Sequence, residues 1–422
     1  MHLKLLPFGP IPQERRSYPP QRIVQCRNCG LVQIVEGGER SRLLISCARC
    51  GTQLEHSAGC SFDATLACAL AVVLLLIPSW WLPLLSTSAL GATLTSTLPM
   101  SVSVLWREGR PWLSILAFLF VILLPALRFA ALSATLATLR LGLRPFWLPA
   151  AFRLANALQT WAMLDVFLLG FVIAFVRLRD SLLVTIGPGA MCFIAATLLS
   201  LIARATLDRA EIWRMIGPDC RPSDRGASLG CLSCELLLPR SFENQDCPRC
   251  GARIHAEKPA GFVGSLAFLS AAILLYVPAN VYPIATIPID LTPTSYTVLG
   301  GVADLVQSHL TGLAALVFSA SFIIPLMKMA GLSWCTISVA RHSTRHLVAK
   351  TRVYRVIEEI GRWSMVDPLT IACFVPVVRF NGLIYGRAGP AAIPFAAVVI
   401  LTTLAVKAFD PRLMWRGAAR SR

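Results

Sequence analysis

Charge is what this sequence has least of. Asp, Glu, Lys and Arg make up 14% of its 422 residues, where a soluble globular chain carries about a quarter, because its surface must face water. Together with 55% hydrophobic residues and a mean hydropathy of +0.65, that shortage argues against a soluble protein. Acidic side chains are the scarcer sign, 22 against 39 basic, for a formal charge of +17. Several catalytic signatures are also missing: there is no HExxH helix, no GxSxG turn and no Walker A loop. Metalloprotease and esterase chemistry therefore lack their residues, and an ATP-driven mechanism would need another subunit. His309, His342 and His346 stand alone, without a paired carboxylate motif. Residues 1–25 are polar and rich in Pro and Arg, with no apolar stretch ahead of a small-residue cleavage site, so no cleavable signal peptide is expected.

What the sequence has instead is long apolar runs, such as 64–85 and 113–139, each able to cross about 30 Å of hydrocarbon as a helix. It is also written twice. Cys26-x2-Cys29 recurs as Cys231-x2-Cys234, and Cys47-x2-Cys50 as Cys247-x2-Cys250. Pro78, Pro83, Pro125 and Arg128 match Pro278, Pro283, Pro325 and Lys328. After a basic loop, Trp161, Met163 and Asp165 match Trp363, Met365 and Asp367, and Asp208 and Trp213 match Asp410 and Trp415.

Each half reads as four helices, near 64–86, 112–140, 152–176 and 182–204, then 262–283, 310–340, 361–379 and 391–409. The fold class expected is mainly α, a polytopic membrane protein with two tandem four-helix modules, each preceded by a small four-cysteine zinc ribbon. The divisions are a polar tail at 1–25, ribbons at 26–55 and 226–257, and membrane modules at 60–215 and 259–415. An even helix number returns the second ribbon to the side of the first, which makes a parallel repeat. Most Lys and Arg fall in the tails, ribbons and loops on that side, which the positive-inside rule makes cytoplasmic, with both termini. The basicity is therefore a topology signal and no nucleic-acid partner is expected. The segments between helices one and two, 87–111 and 284–309, lie on the other side, and the second is rich enough in Thr, Pro and Ile to be extended or β-like.

The cysteine pairs carry the strongest chemical signal. Two C-x2-C turns, 12 to 17 residues apart, can aim four sulfurs at one ion, and Gly30, Gly51 and Gly251 follow three of the four motifs. Cys26, Cys29, Cys47 and Cys50 form one expected site, and Cys231, Cys234, Cys247 and Cys250 the other. Zinc is the expected metal and tetrathiolate iron the alternative. Disulfides suit a reducing cytoplasm poorly, and a redox dithiol uses a single pair. A closed four-thiolate shell has no place for substrate, so both ribbons are expected to be structural. Cys60, Cys68, Cys192, Cys220, Cys335 and Cys373 follow no ligand spacing.

Arg128 and Lys328 lie deep within apolar runs, where a cation costs several kcal/mol unless it meets a partner or water. The simple arrangement sets each against the acid of the next helix, Arg128 facing Asp165 and Lys328 facing Asp367. Such pairs are either architectural or able to relay protons or hold an anionic head group. Lysine can lose its proton when desolvated and arginine cannot, so Lys328 with Asp367 is the better titrating site. Ser319, Ser321 and Ser364 could extend its polar path. Asn280 lies in Pro278-Ala-Asn-Val-Tyr-Pro283, where the first half has the more apolar Pro78-Ser-Trp-Trp-Leu-Pro83. Either element is a plain helix terminus or a functional break.

Taken together, these features resemble the paraquat-inducible protein A family of bacterial inner-membrane proteins. The carrying residues are the two ribbons, the Pro-x-Asn-x-x-Pro element at 278–283, Pro325-x-x-Lys328, the Trp-x-Met-x-Asp elements and the closing Asp-Pro-Arg-Leu-Met-Trp at 410–415. The resemblance implies a part in envelope lipid homeostasis: loading or unloading membrane phospholipid at a tunnel made by a periplasmic mammalian-cell-entry (MCE) domain partner. A proton gradient acting on the buried pairs would be the self-contained energy source. Two other classes compete, a scaffold that anchors a partner without transporting, and a membrane enzyme such as a thiol oxidoreductase. The enzyme lacks a cysteine pair on the far side of the membrane.

Overall fold

The computed structural model of the chain describes residues 21–36, 44–56, 62–89, 92–107, 109, 111–162, 164–179, 183–217, 228–259, 261–283, 285–289, 292–307, 309, 311–361 and 387–416. In the first ribbon β1 (Gln21–Gln25) pairs with β2 (Val32–Glu36), and β3 (Leu44–Ser46) with β4 (Gln53–His56), all antiparallel. The cysteine turns between them close with Gly30 N–H on Cys26 O at 3.0 Å and Gly51 N–H on Cys47 O at 2.8 Å. Both glycines take a positive φ, 73° and 67°, which a side chain would strain.

The first membrane half begins with α1 (Phe62–Trp81), which contains Pro78 and stops before Pro83. It ends short of the expected 86 because the chain turns there into a hairpin of β5 (Leu85–Ala89) and β6 (Ala92–Ser96). Then come α2 (Leu98–Arg107), α3 (Pro111–Ala117), a π-helical turn at 118–123 and α4 (Leu124–Arg140), which continue one another from 111 to 140. The π turn has a local cause. Pro125 has no N–H for the preceding turn, and the ladder widens so that Leu124 N–H reaches Leu119 O. The basic stretch beyond, read as a loop, folds in part as α5 (Leu148–Leu158). The half closes with α6 (Leu164–Arg179), β7 (Leu183–Ile186), α7 (Pro188–Thr206) and α8 (Arg209–Ile216).

The second ribbon carries β8 (Ser228–Gly230) and β9 (Leu237–Pro239). The second half repeats the order: α9 (Gly261–Val281), β10 (Ala285–Ile289), β11 (Thr292–Tyr296), α10 (Val298–Gln307), α11 (Thr311–Phe318), a π turn at 319–323, α12 (Ile324–Ala340), α13 (Leu347–Ile360), β12 (Arg387–Ala388) and α14 (Ala392–Ala408). The β-like expectation for 284–309 therefore holds over its first part, and 87–111 shares it. In each half the strand ahead of the last long helix joins the hairpin, giving sheets ordered β6-β5-β7 and β11-β10-β12. Leu85 stands opposite Ile186, and Ala285 opposite Ala388.

Among the described residues five helical stretches are long and apolar enough to cross a membrane, 62–81, 111–140, 188–206, 261–281 and 314–340, and the helix expected at 361–379 lies almost wholly outside those residues. Residues 164–173, 298–307 and 392–408 are apolar but shorter. The third helix expected at 152–176 is instead two helices, parted between Leu158 and Leu164. The fourth starts at Pro188 rather than 182, because β7 takes the residues ahead of it. Helices α1 and α7 pack along one another, as do α9 and α14. Buried alanines line both seams, Ala69, Ala190, Ala196 and Ala203 in one and Ala272, Ala279, Ala396 and Ala405 in the other. Small residues let membrane helices come close where no hydrophobic drive exists between them.

The ribbons do not sit on the halves they precede. The first ribbon's four cysteines share a buried cluster with Met329, Leu332, Tyr354, Phe409 and Trp415 of the second half. The second ribbon's four share one with Phe152, Ile212, Trp213 and Ile216 of the first. Polar contacts follow the same crossing. Arg355 Nη1 donates to Gly51 O at 3.1 Å, and Arg153 Nη1 to Cys250 O at 3.0 Å. The Arg49 guanidinium lies 4.5 Å from the centre of the Trp415 ring. Between the ribbons, Gly230 N–H donates to Gln25 Oε1 at 2.8 Å and Arg27 pairs with Glu235.

Candidate metal centres and buried polar residues

In each ribbon the two turns bring four sulfurs together, all within 4.8 Å of one another. Cys26 and Cys50 lie 3.5 Å apart, as do Cys29 and Cys47. Cys231 and Cys250 lie 3.6 Å apart, as do Cys234 and Cys247. A disulfide would need about 2.05 Å, whereas four thiolates at about 2.3 Å from one zinc stand about 3.8 Å from each other. None of the eight is more than 4% exposed, so the shell is closed to substrate. The electrostatics point the same way. A hydrogen bond from Cys29 pulls the Cys26 thiol down to about 4, while the Cys29 thiol is pushed up. A hydrogen bond with Cys234 likewise lowers the Cys231 thiol to about 7, while the Cys234 thiol is raised. Without a cation only some of these sulfurs can ionise, and a bound ion would let all four do so. The two clusters could each hold one metal ion.

The fourth turn departs from the glycine pattern. Glu235 stands where the other three have glycine, yet it takes the same left-handed conformation, φ 60°, and its N–H closes on Cys231 O at 3.0 Å. The turn is set by the cysteines, and the residue after them conforms. Among the remaining cysteines, Cys68, Cys192 and Cys335 join neither cluster, and Cys60, Cys220 and Cys373 lie outside the described residues.

Both intramembrane cations are buried, Arg128 at 3% and Lys328 at 2% exposure. Arg128 Nη1 donates to Ala162 O at 3.4 Å, just ahead of α6, and its guanidinium lies 4.8 Å from the centre of the Phe129 ring. The carboxylate expected to face it, Asp165, is paired with another cation, Arg204 near the end of α7, at 3.8 Å. A guanidinium one helix away reaches Asp165 because α6 starts late, at the break that the sequence did not reveal. Lys328 Nζ donates to Gly361 O at 3.2 Å and to Thr403 Oγ1 at 3.4 Å. Its expected partner Asp367, with Ser364, lies outside the described residues. Ser321 is buried and bonds back to Val317 O at 2.7 Å, which is packing behaviour. Ser319 does the same with Ala315 O at 2.7 Å.

Sequence reasoning missed Thr403 and Gly361, although a signal existed. Both differ from the first half at the same register, where Leu201 and Gln159 stand. A Cβ on Gly361 would sit 3.2 Å from Lys328 Cε, so the glycine makes room for the lysine. Asn280 gives its amide to Tyr276 O at 2.9 Å, and its Oδ1 is buried with no partner among the described residues. Pro83 and Pro283 prove to be termini with a structural task. Their carbonyls accept the N–H of Gly189 at 3.0 Å and of Ala391 at 3.1 Å, tying helix one to helix four.

Comparison with known proteins completes this picture. A family described as paraquat-inducible protein A matches the chain twice, over residues 62–217 and 263–419. The intermembrane transport protein PqiA of Escherichia coli K12 is 30% identical over 404 residues, covering 93% of this chain and 95% of that protein. Lipophilic envelope-spanning tunnel protein A of the same organism is 28% identical over 374 residues, 87% of this chain and 86% of its own. A probable intermembrane transport protein of Haemophilus influenzae is 25% identical over 425 residues, 96% and 99% of the two chains. No solved structure matches. With both membrane halves matched in tandem, each beside a four-cysteine cluster, the chain is a membrane protein of the paraquat-inducible protein A family.

Proposed function

We propose that this chain is an inner-membrane transport subunit that loads or unloads phospholipid at a periplasmic MCE-domain tunnel, and is not an enzyme. The observation that carries the reading is the similarity, along nearly the whole chain, to proteins named for intermembrane transport. The two ribbons hold structural zinc on the cytoplasmic side, eight helices cross the membrane, and the divisions at 60–215 and 259–415 are its two membrane modules. The sheet side then faces the periplasm and the tunnel partner. Lys328 and Asp367 form the proton-coupled site, with Ser321, Ser364 and Asn280 along the path, while in the first half Arg128 is a fixed charge on Ala162 O and Asp165 pairs with Arg204. Thr403 and Gly361 support this reading, because both hold Lys328 and the first half has Leu201 and Gln159 at the matching positions.

Three substitutions test it at once. Lys328→Ala and Asp367→Asn are each expected to abolish the protein's contribution to envelope integrity at normal protein level. Lys328→Arg keeps the charge and copies the first half, and is expected to fail as well, since guanidinium holds its proton. Intact envelope function in all three variants, in a strain without a redundant homologue, would leave a scaffold as the better reading.

A further inference from the structure

The break between α5 and α6 gathers positive charge from four directions. Arg209 of α8 donates to Gln159. Lys407, near the end of α14, sets its Nζ 4.8 Å from the centre of the Trp161 ring. Arg128 reaches Ala162 O from below, at 3.4 Å, and Arg204 pairs with Asp165 at 3.8 Å. Arg204 Nε is also buried with no partner among the described residues. The acids close by are Asp165, Glu358, whose field acts on Lys407, and Asp208, which is engaged in capping α8 through the N–H groups of Ala210 and Glu211.

Three of these cations are not inherited from the duplication. Arg204, Arg209 and Lys407 have Val406, Pro411 and Ala205 at the matching positions. The crowding leaves a trace on Arg209: burial, and then the fields of Arg27 and Arg204, pull it down to about 10. Arg204 and Lys407 stand at the ribbon-side ends of α7 and α14, and Arg209 opens α8 just beyond α7, at the height of a lipid head group. Leu198, Leu201 and Ile202 are exposed on α7 just toward the membrane centre from Arg204, where acyl chains can lie. Basic pockets between membrane helices at this level suit phosphate head groups.

We propose that the basic cluster at the α5–α6 break and the ends of α7 and α14 binds the phosphate of an anionic phospholipid from the ribbon-side leaflet, held by Arg204, Arg209 and Lys407 beside Trp161. The site stands whether or not the chain transports lipid, since a scaffold could carry it equally well.

The full chain in phosphatidylcholine nanodiscs, titrated with phosphatidylglycerol and followed by thermal unfolding and by native mass spectrometry of retained lipid, tests the site. Arg209→Gln with Lys407→Gln leaves the Arg204–Asp165 pair in place and is expected to lose apparent affinity on the order of twentyfold, about fivefold for each cation. Arg209→Lys with Lys407→Arg is expected to stay within a few-fold of wild type, and carries the test if the neutral pair does not accumulate. Arg144→Gln with Arg341→Gln removes two charges elsewhere on the same side and should change little. Unchanged binding in the neutral pair, or an equal loss in the Arg144 and Arg341 control, overturns the site. Stabilisation by inorganic phosphate that matches that by phosphatidylglycerol overturns the lipid as its occupant.

Discussion

Replacing Cys26 with serine is expected to loosen the second membrane half, not the first that follows it in the chain. A unit of some thirty residues is below the size, about 40, at which a hydrophobic core suffices without a metal or disulfide. An ion held by the four sulfurs would therefore supply the fold of each ribbon, with structural zinc sites in peptides worth on the order of 10 kcal/mol. Serine is a poor replacement ligand, so one substitution should release the ion and unfold the ribbon. What then loses its cover is α13, whose Arg355 holds Gly51 O, and the closing turn around Trp415, on which Arg49 lies.

Hydrogen exchange on the purified protein should rise in 347–360 while 148–158 keeps its protection, with bound metal falling by half. Cys231→Ser should do the reverse through Arg153 and Cys250 O. Both variants should accumulate less. Loss of protection confined to the half adjoining in sequence would refute the crossed docking. Normal accumulation with no loss of metal would sink the ligand assignment itself.

The second large effect concerns a residue that carries no chemistry. Gly187 precedes α7, and a Cβ built on it would stand 2.1 Å from Pro83 O; one on Gly189 would stand 2.5 Å from Leu82 O. These are backbone atoms, so no side-chain rotation relieves the overlap. Gly187 has φ −84° and ψ 166°, a conformation open to any residue, so the constraint is space and not backbone freedom. Gly187→Val must push the start of α7 away from α1. The cost is the bonds from Gly187 N–H to Leu84 O and from Gly189 N–H to Pro83 O, together with the seam around Ala69 and Ala190.

Overpacking with two lost buried hydrogen bonds amounts to about 3 kcal/mol or more, enough to lower membrane accumulation severely and to drop the unfolding temperature of whatever remains. Gly189→Ala should be milder, because Ala391 holds the same place in the second half with its N–H still on Pro283 O. An unfolding temperature for Gly187→Val equal to wild type would contradict the close approach.

Much of the site was legible because its signals are local. A C-x2-C turn brings two sulfurs together through bonds spanning a few residues, and Glu235 shows that the turn forms even without its glycine. The burial of Arg128 and Lys328 followed from their depth in apolar runs. Their partners did not, because which groups reach a buried cation depends on where neighbouring helices start and stop. No proline or glycine marks the stretch from Gln159 to Ala162, so one helix looked continuous and Arg204 was not seen as a partner for Asp165. The three-stranded sheets were hidden for a related reason: β7 and β12 are short segments that gain their structure by pairing with hairpins far away in sequence.

By itself, then, the sequence determined the duplication, the two clusters of four sulfurs, the apolar runs long enough to cross a membrane and the depth of the two buried cations. These are matters of spacing and periodicity along one stretch of chain. Only the tertiary structure decided which ribbon covers which half. Ribbon and module carry the same contact residues in both copies, Arg49 and Arg249 on the ribbons, Arg153 and Arg355, Trp213 and Trp415 on the modules. Local complementarity is thus equal for docking on the near half or on the far one, as in any exchange of identical elements. The choice falls to the path of the chain in three dimensions and to the ribbon–ribbon contacts, Gln25 with Gly230 and Arg27 with Glu235, which form only where the two ribbons meet.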